Sequence, residues 1–319
     1  MLQLDGIDRY FGDRLVLDDV SFTVERGRLT GFVGGNGAGK TTAMRIILGV
    51  LSADDGTVRL DGTPLTHRRR NAFGYMPEER GLYPKMRVAE QITYLARLHG
   101  IDKESADRRA RDLLDRLGLA ERADDDLEAL SLGNQQRAQI AAALVHDPDV
   151  LILDEPFSGL DPLAVDVVLG VLAECAENGV AVLFSSHQLD LVEKLCDDLV
   201  IIAGGRIRAA GTREELRTAH TRPCHELVAG SDIGWVRDVA GVRVVEFDGG
   251  SVLFEADDDV AQQVLHDAMA RGTVSSFRPV RPSLGEIFRD VVADEANAQP
   301  EEALVQTPIT TSDMRETVQ

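Results

Sequence analysis

Leu29-Thr30-Gly31-Phe32-Val33-Gly34-Gly35-Asn36-Gly37-Ala38-Gly39-Lys40-Thr41-Thr42 is the stretch on which the fold turns. It opens as a buried apolar strand, breaks into glycines, and runs on into a helical pattern, Thr41 to Leu51. The spacing GxxxxGK[ST] sits between that strand and that helix, the context in which it has a mechanism. Glycines let the backbone turn its N–H groups onto a phosphate, and the helix N-terminus adds positive potential. Lys40 neutralises the terminal phosphate oxygens and the Thr41 hydroxyl is placed to hold Mg²⁺. Gly34, Gly35, Asn36, Gly37, Ala38, Gly39, Lys40, Thr41 and Thr42 are therefore the candidate phosphate-binding residues.

A second strand completes the chemistry. Val150-Leu151-Ile152-Leu153 carries Asp154 and Glu155 to the C-terminal edge of a sheet, where ligands of α/β proteins bind. Asp154 can hold Mg²⁺ through water, and Glu155 can polarise an attacking water. Around these two strands the chain alternates. Leu2, Leu4 and Ile7, then Val20, Phe22 and Val24, have strand periodicity, and Gly56–Gly62 and Phe73–Glu78 read as further strands. Helices are expected over Val88–His99, Ser105–Leu117, Leu132–Val145 and Pro162–Glu177, and Ala181–His187 is another buried strand. Buried runs separated by helices predict an α/β fold whose core is a mostly parallel sheet covered on both faces.

Leu199 to Gly211 reads as a hairpin through Gly204 and Gly205, and Thr212 with Glu215 forms a capping box for a short helix. The texture then changes to short strands at 225–230, 242–248, 251–256 and 274–280 with one helix at 260–271, a small α+β domain. From Asp294 the sequence is polar and aperiodic, and reads as a disordered tail. His220, Cys224 and His225 lack a fourth ligand at metal-site spacing and read as linker, and His67–Arg70 reads as a solvated loop.

The net charge of −20, from 34 basic and 54 acidic residues in 319, excludes a chain whose main partner is nucleic acid. Only four of the basic residues are lysine. An Asp-rich, Lys-poor surface fits a salty cytoplasm, and a base-composition bias accounts for the arginine excess equally well. Three cysteines without a CxxC pair suit a reducing interior. The start of the chain lacks the pattern of a signal peptide, and no run of 18 apolar residues occurs. A cytoplasmic protein is expected, with any membrane spans supplied by a partner.

Leu130-Ser131-Leu132-Gly133-Asn134-Gln135 opens a helix with a capping serine, Ser158-Gly159-Leu160-Asp161 follows the second strand, and Ser186-His187 ends the third. With the phosphate loop, these resemble the nucleotide-binding subunits of ABC transporters, and the likeness covers about residues 1–217. It implies the fold of a P-loop NTPase (ABC ATPase) and the cofactors ATP and Mg²⁺. It implies that Ser131 and Gly133 reach the γ-phosphate of ATP held by another subunit. Leu132 and Asn134 depart from that family's usual Gly and Gln. It also implies that Asp161 belongs to a loop crossing the dimer interface, that His187 contacts the γ-phosphate, and that Phe11 (with Tyr10 as neighbouring candidate) stacks on adenine.

Where most relatives carry glutamine, this chain has Glu78, within Pro77-Glu78-Glu79-Arg80-Gly81-Leu82-Tyr83-Pro84. Glu78 either reaches the metal and the attacking water or pairs with Arg80 at the surface. That run, the LSLGNQQR segment and a carboxy-terminal Pro282-Ser283-Leu284-Gly285-Glu286-Ile287-Phe288 resemble the sodium-efflux (NatA-like) and drug-exporter ATPases. The implied organisation is an ATP-binding domain over 1–217, an accessory domain over 218–293 and a tail over 294–319. The implied function is to energise an exporter as a homodimer or heterodimer, peripheral on the inner face of the membrane beneath a polytopic permease subunit. The competing function is a non-transport ABC ATPase serving translation or DNA maintenance, but such proteins generally need a basic surface.

Overall fold

The computed structural model describes residues 1–79, 81–188, 192, 194–220 and 223–280. The carboxy-terminal motif, the tail and the Arg80 partner expected for Glu78 lie outside the described residues.

The chain begins as a hairpin, β1 (Leu2–Phe11) and β2 (Arg14–Val24), followed by β3 (Leu29–Val33), the loop 34–39 and helix α1 (Lys40–Leu48). Next come β4 (Asp55–Leu60), β5 (Thr63–Pro64), the single turn α2 (His67–Arg70) and β6 (Phe73–Met76). Three helices follow, α3 (Val88–Leu98), α4 (Lys103–Arg116) and α5 (Leu132–Leu144). The chain then returns through β7 (Val150–Leu153), α6 (Pro162–Glu177), β8 (Ala181–Ser186), β9 (Asp198–Ala203), β10 (Arg206–Thr212) and α7 (Arg213–His220).

Six strands form the central sheet in the order β10-β9-β3-β8-β7-β6. All neighbours are parallel except β10, which turns back on β9. Every residue of β3, β7 and β8 is buried, as expected where both faces are covered. The strand period of two divides the burial: Val150 and Ile152 of β7 face one layer, Leu151 and Leu153 the other. The second layer is helical, with Ile92, Leu114, Ile140 and Leu172 packed against Val182 and Phe184.

The first layer differs from the expected arrangement. The amino-terminal strands are not part of the parallel sheet but form a separate antiparallel one, β2-β1-β4-β5. It sandwiches α1, whose Ala43, Met44 and Ile47 meet Leu4, Ile7 and Phe22 on one side and Phe32 and Ile152 on the other. The 67–70 segment is solvent-exposed over His67–Arg69 as expected, but is a single helical turn rather than a loop. Arg70 donates from Nε to the Ile47 carbonyl at 2.8 Å, tying that turn to the end of α1.

Helices α3, α5 and α6 start where the sequence places them, while α4 starts two residues before Ser105 because its first turn is polar. Asp102 caps α4 by accepting the Ser105 N–H at 3.0 Å. Thr212 and Glu215 exchange both expected capping bonds, at 2.8 and 3.1 Å. Below α5, the His146 ring stacks on His99 with centroids 3.7 Å apart, its Nε2 lying 3.1 Å from the Phe73 carbonyl. Burial, then the neighbouring His99, holds the His146 pKa below its ordinary value, against the Phe73 carbonyl and Asp147.

The remaining described residues form β11 (Cys224–Ala229), β12 (Arg243–Asp248), β13 (Ser251–Glu255), α8 (Asp258–Arg271) and β14 (Val274–Val280). The sheet order is β12-β13-β11-β14, with Leu227, Val252 and Phe254 packed on Ala261, Val264 and Ala268 of α8. Cys224 and His225 belong to β11 and are buried, which corrects their reading as linker. His225 stacks on Phe254 and Phe277, and burial lowers its pKa against the opposing pull of Asp258, 3.6 Å away. Among the described residues no helix is long and apolar enough to cross a membrane.

Candidate active site

Because β6, β7, β8 and β3 are parallel neighbours, the residues that follow them emerge along one sheet edge. The phosphate loop leaves β3, Asp154 leaves β7, His187 leaves β8 and Glu78 leaves β6. A cavity of about 470 Å³ opens there, lined by Gly35 to Thr42 with Phe11, Arg14, Val16, Glu78, Asp154 and Glu155.

Two glycines are fixed by the space around them. A Cβ at Gly34 would lie 2.5 Å from the Ile202 carbonyl oxygen. Gly39 caps α1 with φ 109°, and a Cβ there would meet Leu17 at 2.6 Å. The loop so formed curls over the Lys40 ammonium, which donates to the Gly34 carbonyl at 2.7 Å and to that of Gly35 at 3.2 Å.

Asp154 is held on three sides. Its N–H donates to the Met76 carbonyl at 2.9 Å, which ties the end of β7 to the end of β6. Its Oδ2 accepts the Thr41 hydroxyl at 2.9 Å and its Oδ1 accepts that of Ser185 at 2.5 Å. Ser185 Oγ in turn accepts the Glu155 N–H at 2.9 Å. Glu155 sits in the left-handed region with φ 52°, a strained conformation for a non-glycine residue. Its carbonyl is pinned by Gln136 Nε2 at 2.9 Å and by the Ser158 N–H at 3.2 Å. The result aims a nearly buried carboxylate at His187, with Oε1 2.9 Å from Nδ1. Beside them, burial raises the Tyr75 pKa, and the charges of Asp154 and Glu78 add to that against the opposing pull of Arg45.

Phe11 lies at the end of β1, half exposed, and walls the cavity; Tyr10 is not among the cavity residues. Ser131, Gly133 and Asp161 stand outside the cavity. Ser131 caps α5 through the Asn134 N–H at 3.4 Å, and Asp161 caps α6 through that of Ala164 at 2.8 Å. The two loops touch each other, since a Cβ at Gly133 would meet the Gly159 carbonyl at 3.2 Å. The departures from the family pattern are absorbed locally. Leu132 turns to solvent, and the Asn134 side-chain Oδ1 accepts from Arg137 at 2.5 Å.

Ser185, Gln136, Arg14 and Val16 escape the sequence reading. A serine pair closing a buried strand was the available signal for Ser185, and Gln136 lies a little over one helical turn beyond Ser131.

Residues 17–158 match the ABC transporter family, and residues 211–292 match a family described as the C-terminal domain of DrrA1-3-like ATP-binding proteins. An uncharacterized ABC transporter ATP-binding protein of Bacillus subtilis, YhaQ, is 36% identical over 92% of this chain and 98% of its own. The Nod factor export ATP-binding protein I of Ralstonia nicotianae is 36% identical over 74% of this chain and 75% of its own. A solved ATP-binding subunit of an ABC transporter superposes with a TM-score of 0.64 at 32% identity, over 69% of this chain and 92% of that one. With the phosphate loop, the paired carboxylates and the histidine at one sheet edge, the chain belongs to the ABC transporter ATP-binding proteins, the ATP-hydrolysing subunits of those transporters.

Proposed function

We propose that this chain works as one of two ATPase subunits, identical or not, that clamp ATP between them and drive an exporter through a separate polytopic permease. The observation that carries the reading is the division of the site. Lys40, Thr41, Asp154 and Glu155 converge on one cavity, while Ser131, Gly133 and Asp161 form a second cluster outside it. A serine hydroxyl at a helix N-terminus suits a phosphate, and a second subunit brings it over the γ-phosphate. Glu155 takes the proton of the attacking water, and His187, in contact with that carboxylate, orients it and meets the γ-phosphate. Phe11 stacks the adenine.

Mg²⁺ fits the donors present: Thr41 and Asp154 supply hard oxygens 2.9 Å apart beside the phosphate loop. When bound there it would neutralise phosphate charge, with Glu78 as a further ligand on the cavity wall.

Export rather than import is favoured by the similarity to a Nod factor export protein. The permease would dock on the exposed apolar surface of Tyr83, Pro84, Met86 and Tyr94, just after Glu78, and hold the subunit at the inner membrane face. Residues 1–217 are the ATPase domain, 218–293 an accessory domain, and 294–319 a tail. A role on nucleic acid is disfavoured by the charge of −20. The test is Glu155→Gln with ATP, which blocks hydrolysis after closure. Gel filtration at working salt should show a stable dimer, and a monomer at every ATP concentration would refute the shared site.

A further inference from the structure

Phe11 precedes the two-residue turn between β1 and β2, with half its surface exposed and no core to fix its ring. Against its ring stands a guanidinium. Arg9 Cζ lies over the Phe11 ring, 4.9 Å from its centroid, while Arg9 itself is not part of the cavity wall. That cation is tethered: an Arg9 terminal nitrogen donates to Asp54 Oδ1 at 2.9 Å. The other oxygen, Oδ2, accepts the Tyr10 backbone N–H at 2.7 Å. One carboxylate thus grips both the cation and the strand between Arg9 and Phe11. The Arg9 Nε hydrogen is buried without an acceptor, a cost that turning outward into water would remove.

We propose that Asp54, Arg9 and Phe11 form a braced stacking platform for the nucleobase, with Arg9 a positioning residue that acts through Phe11. The proposal rests on Phe11 stacking the base, as argued above. The guanidinium is attracted to the π-face turned from the cavity and holds the ring, leaving its other face to the base. A ring held in place before binding loses less freedom when the base arrives. Because every base has a π-face, the platform serves ATP and GTP alike and contributes nothing to a base-free triphosphate.

The test measures Kd of ATP, GTP and tripolyphosphate by calorimetry on the full chain, with folding checked by circular dichroism. Arg9→Met should weaken ATP and GTP about two- to fivefold. Phe11→Ala should weaken them by about tenfold. Neither should change tripolyphosphate, and Arg9→Met should have no further effect in a Phe11→Ala background. Should Arg9→Met fail to fold, Asp54→Asn applies the same test, since one of the two acceptors becomes a donor. Unchanged ATP affinity in Arg9→Met, with Phe11→Ala impaired, would overturn the brace alone. Equal losses for ATP and tripolyphosphate would mean structural damage and overturn it too. Unchanged ATP affinity in Phe11→Ala would remove the stacking reading, and the brace with it.

Discussion

Ser185→Ala tests how the two carboxylates are held. Ser185 is fully buried, donates to Asp154 at 2.5 Å and accepts the Glu155 N–H at 2.9 Å, so one hydroxyl serves both. Alanine removes a bond to an ionised acceptor, worth about 1.5–3 kcal/mol, and strands a buried N–H at a cost of about 1–3 kcal/mol. The two losses overlap at one site, so about 3 kcal/mol of stability should go. For a domain of this size each kcal/mol moves Tm by about 2–4 °C, giving a fall of about 6–12 °C. Glu155 would also lose a restraint on its left-handed backbone, and ATP turnover should drop by about ten- to a hundredfold from mispositioning. Ser186→Ala is the control. Among the described residues its hydroxyl accepts the Gln188 N–H, at 3.0 Å, and its loss should cost about 1 kcal/mol. Thermal melts and steady-state ATPase rates read both variants. If Ser185→Ala melts and turns over like Ser186→Ala, the hydroxyl does not hold the site.

Glu78→Gln should shift the Mg²⁺ concentration for half-maximal hydrolysis and leave ATP affinity nearly intact. An unchanged titration and turnover would make Glu78 a surface residue only. The charge of −20 should make stability salt-dependent, with Tm rising continuously to molar KCl as repulsion is screened. A flat curve would remove the salt-adapted reading of the composition. Acid should loosen two places, because burial depresses the pKa of both His146 and His225. The unfolded chain then binds more protons than the folded one, so this stability is complete above about pH 6.5 and is lost as pH falls below it. His146→Gln and His225→Gln should flatten that limb of a Tm-against-pH curve; an unaltered limb would assign it to other groups.

The chemistry of the site was more legible than its scaffolding. A glycine loop between strand and helix, or two acids after four buried apolars, carries its geometry within a few residues. Pro162 behind the capping Asp161 likewise marks the start of α6. Other features are settled by partners far along the chain. Leu2 alternates like any half-buried strand residue, but only its pairing with Leu60 places it in a separate antiparallel sheet. Ser185 and Ser186 look alike in sequence, and it is Ser185 that meets Asp154 and the Glu155 N–H. The brace on Phe11 depends on Asp54, 45 residues from Arg9.

The order of strands in the central sheet governs when the nucleotide site can come into being. β3 is flanked by β8 and β9, so the phosphate loop at its tip is walled by chain that follows it by more than 140 residues. Translation at about 5–20 residues per second puts roughly 10–30 s between the emergence of Lys40 and the end of β9. Until β8 emerges, the N–H and C=O groups along the edges of β3 have no parallel neighbour, and closing so long a loop makes their pairing slow. Until β8 and β9 are made, the nascent chain carries the motif on a strand without its sheet neighbours. The hairpin of β1 and β2 with β4 pairs locally, and can cover one face of α1 while the rest is still being made.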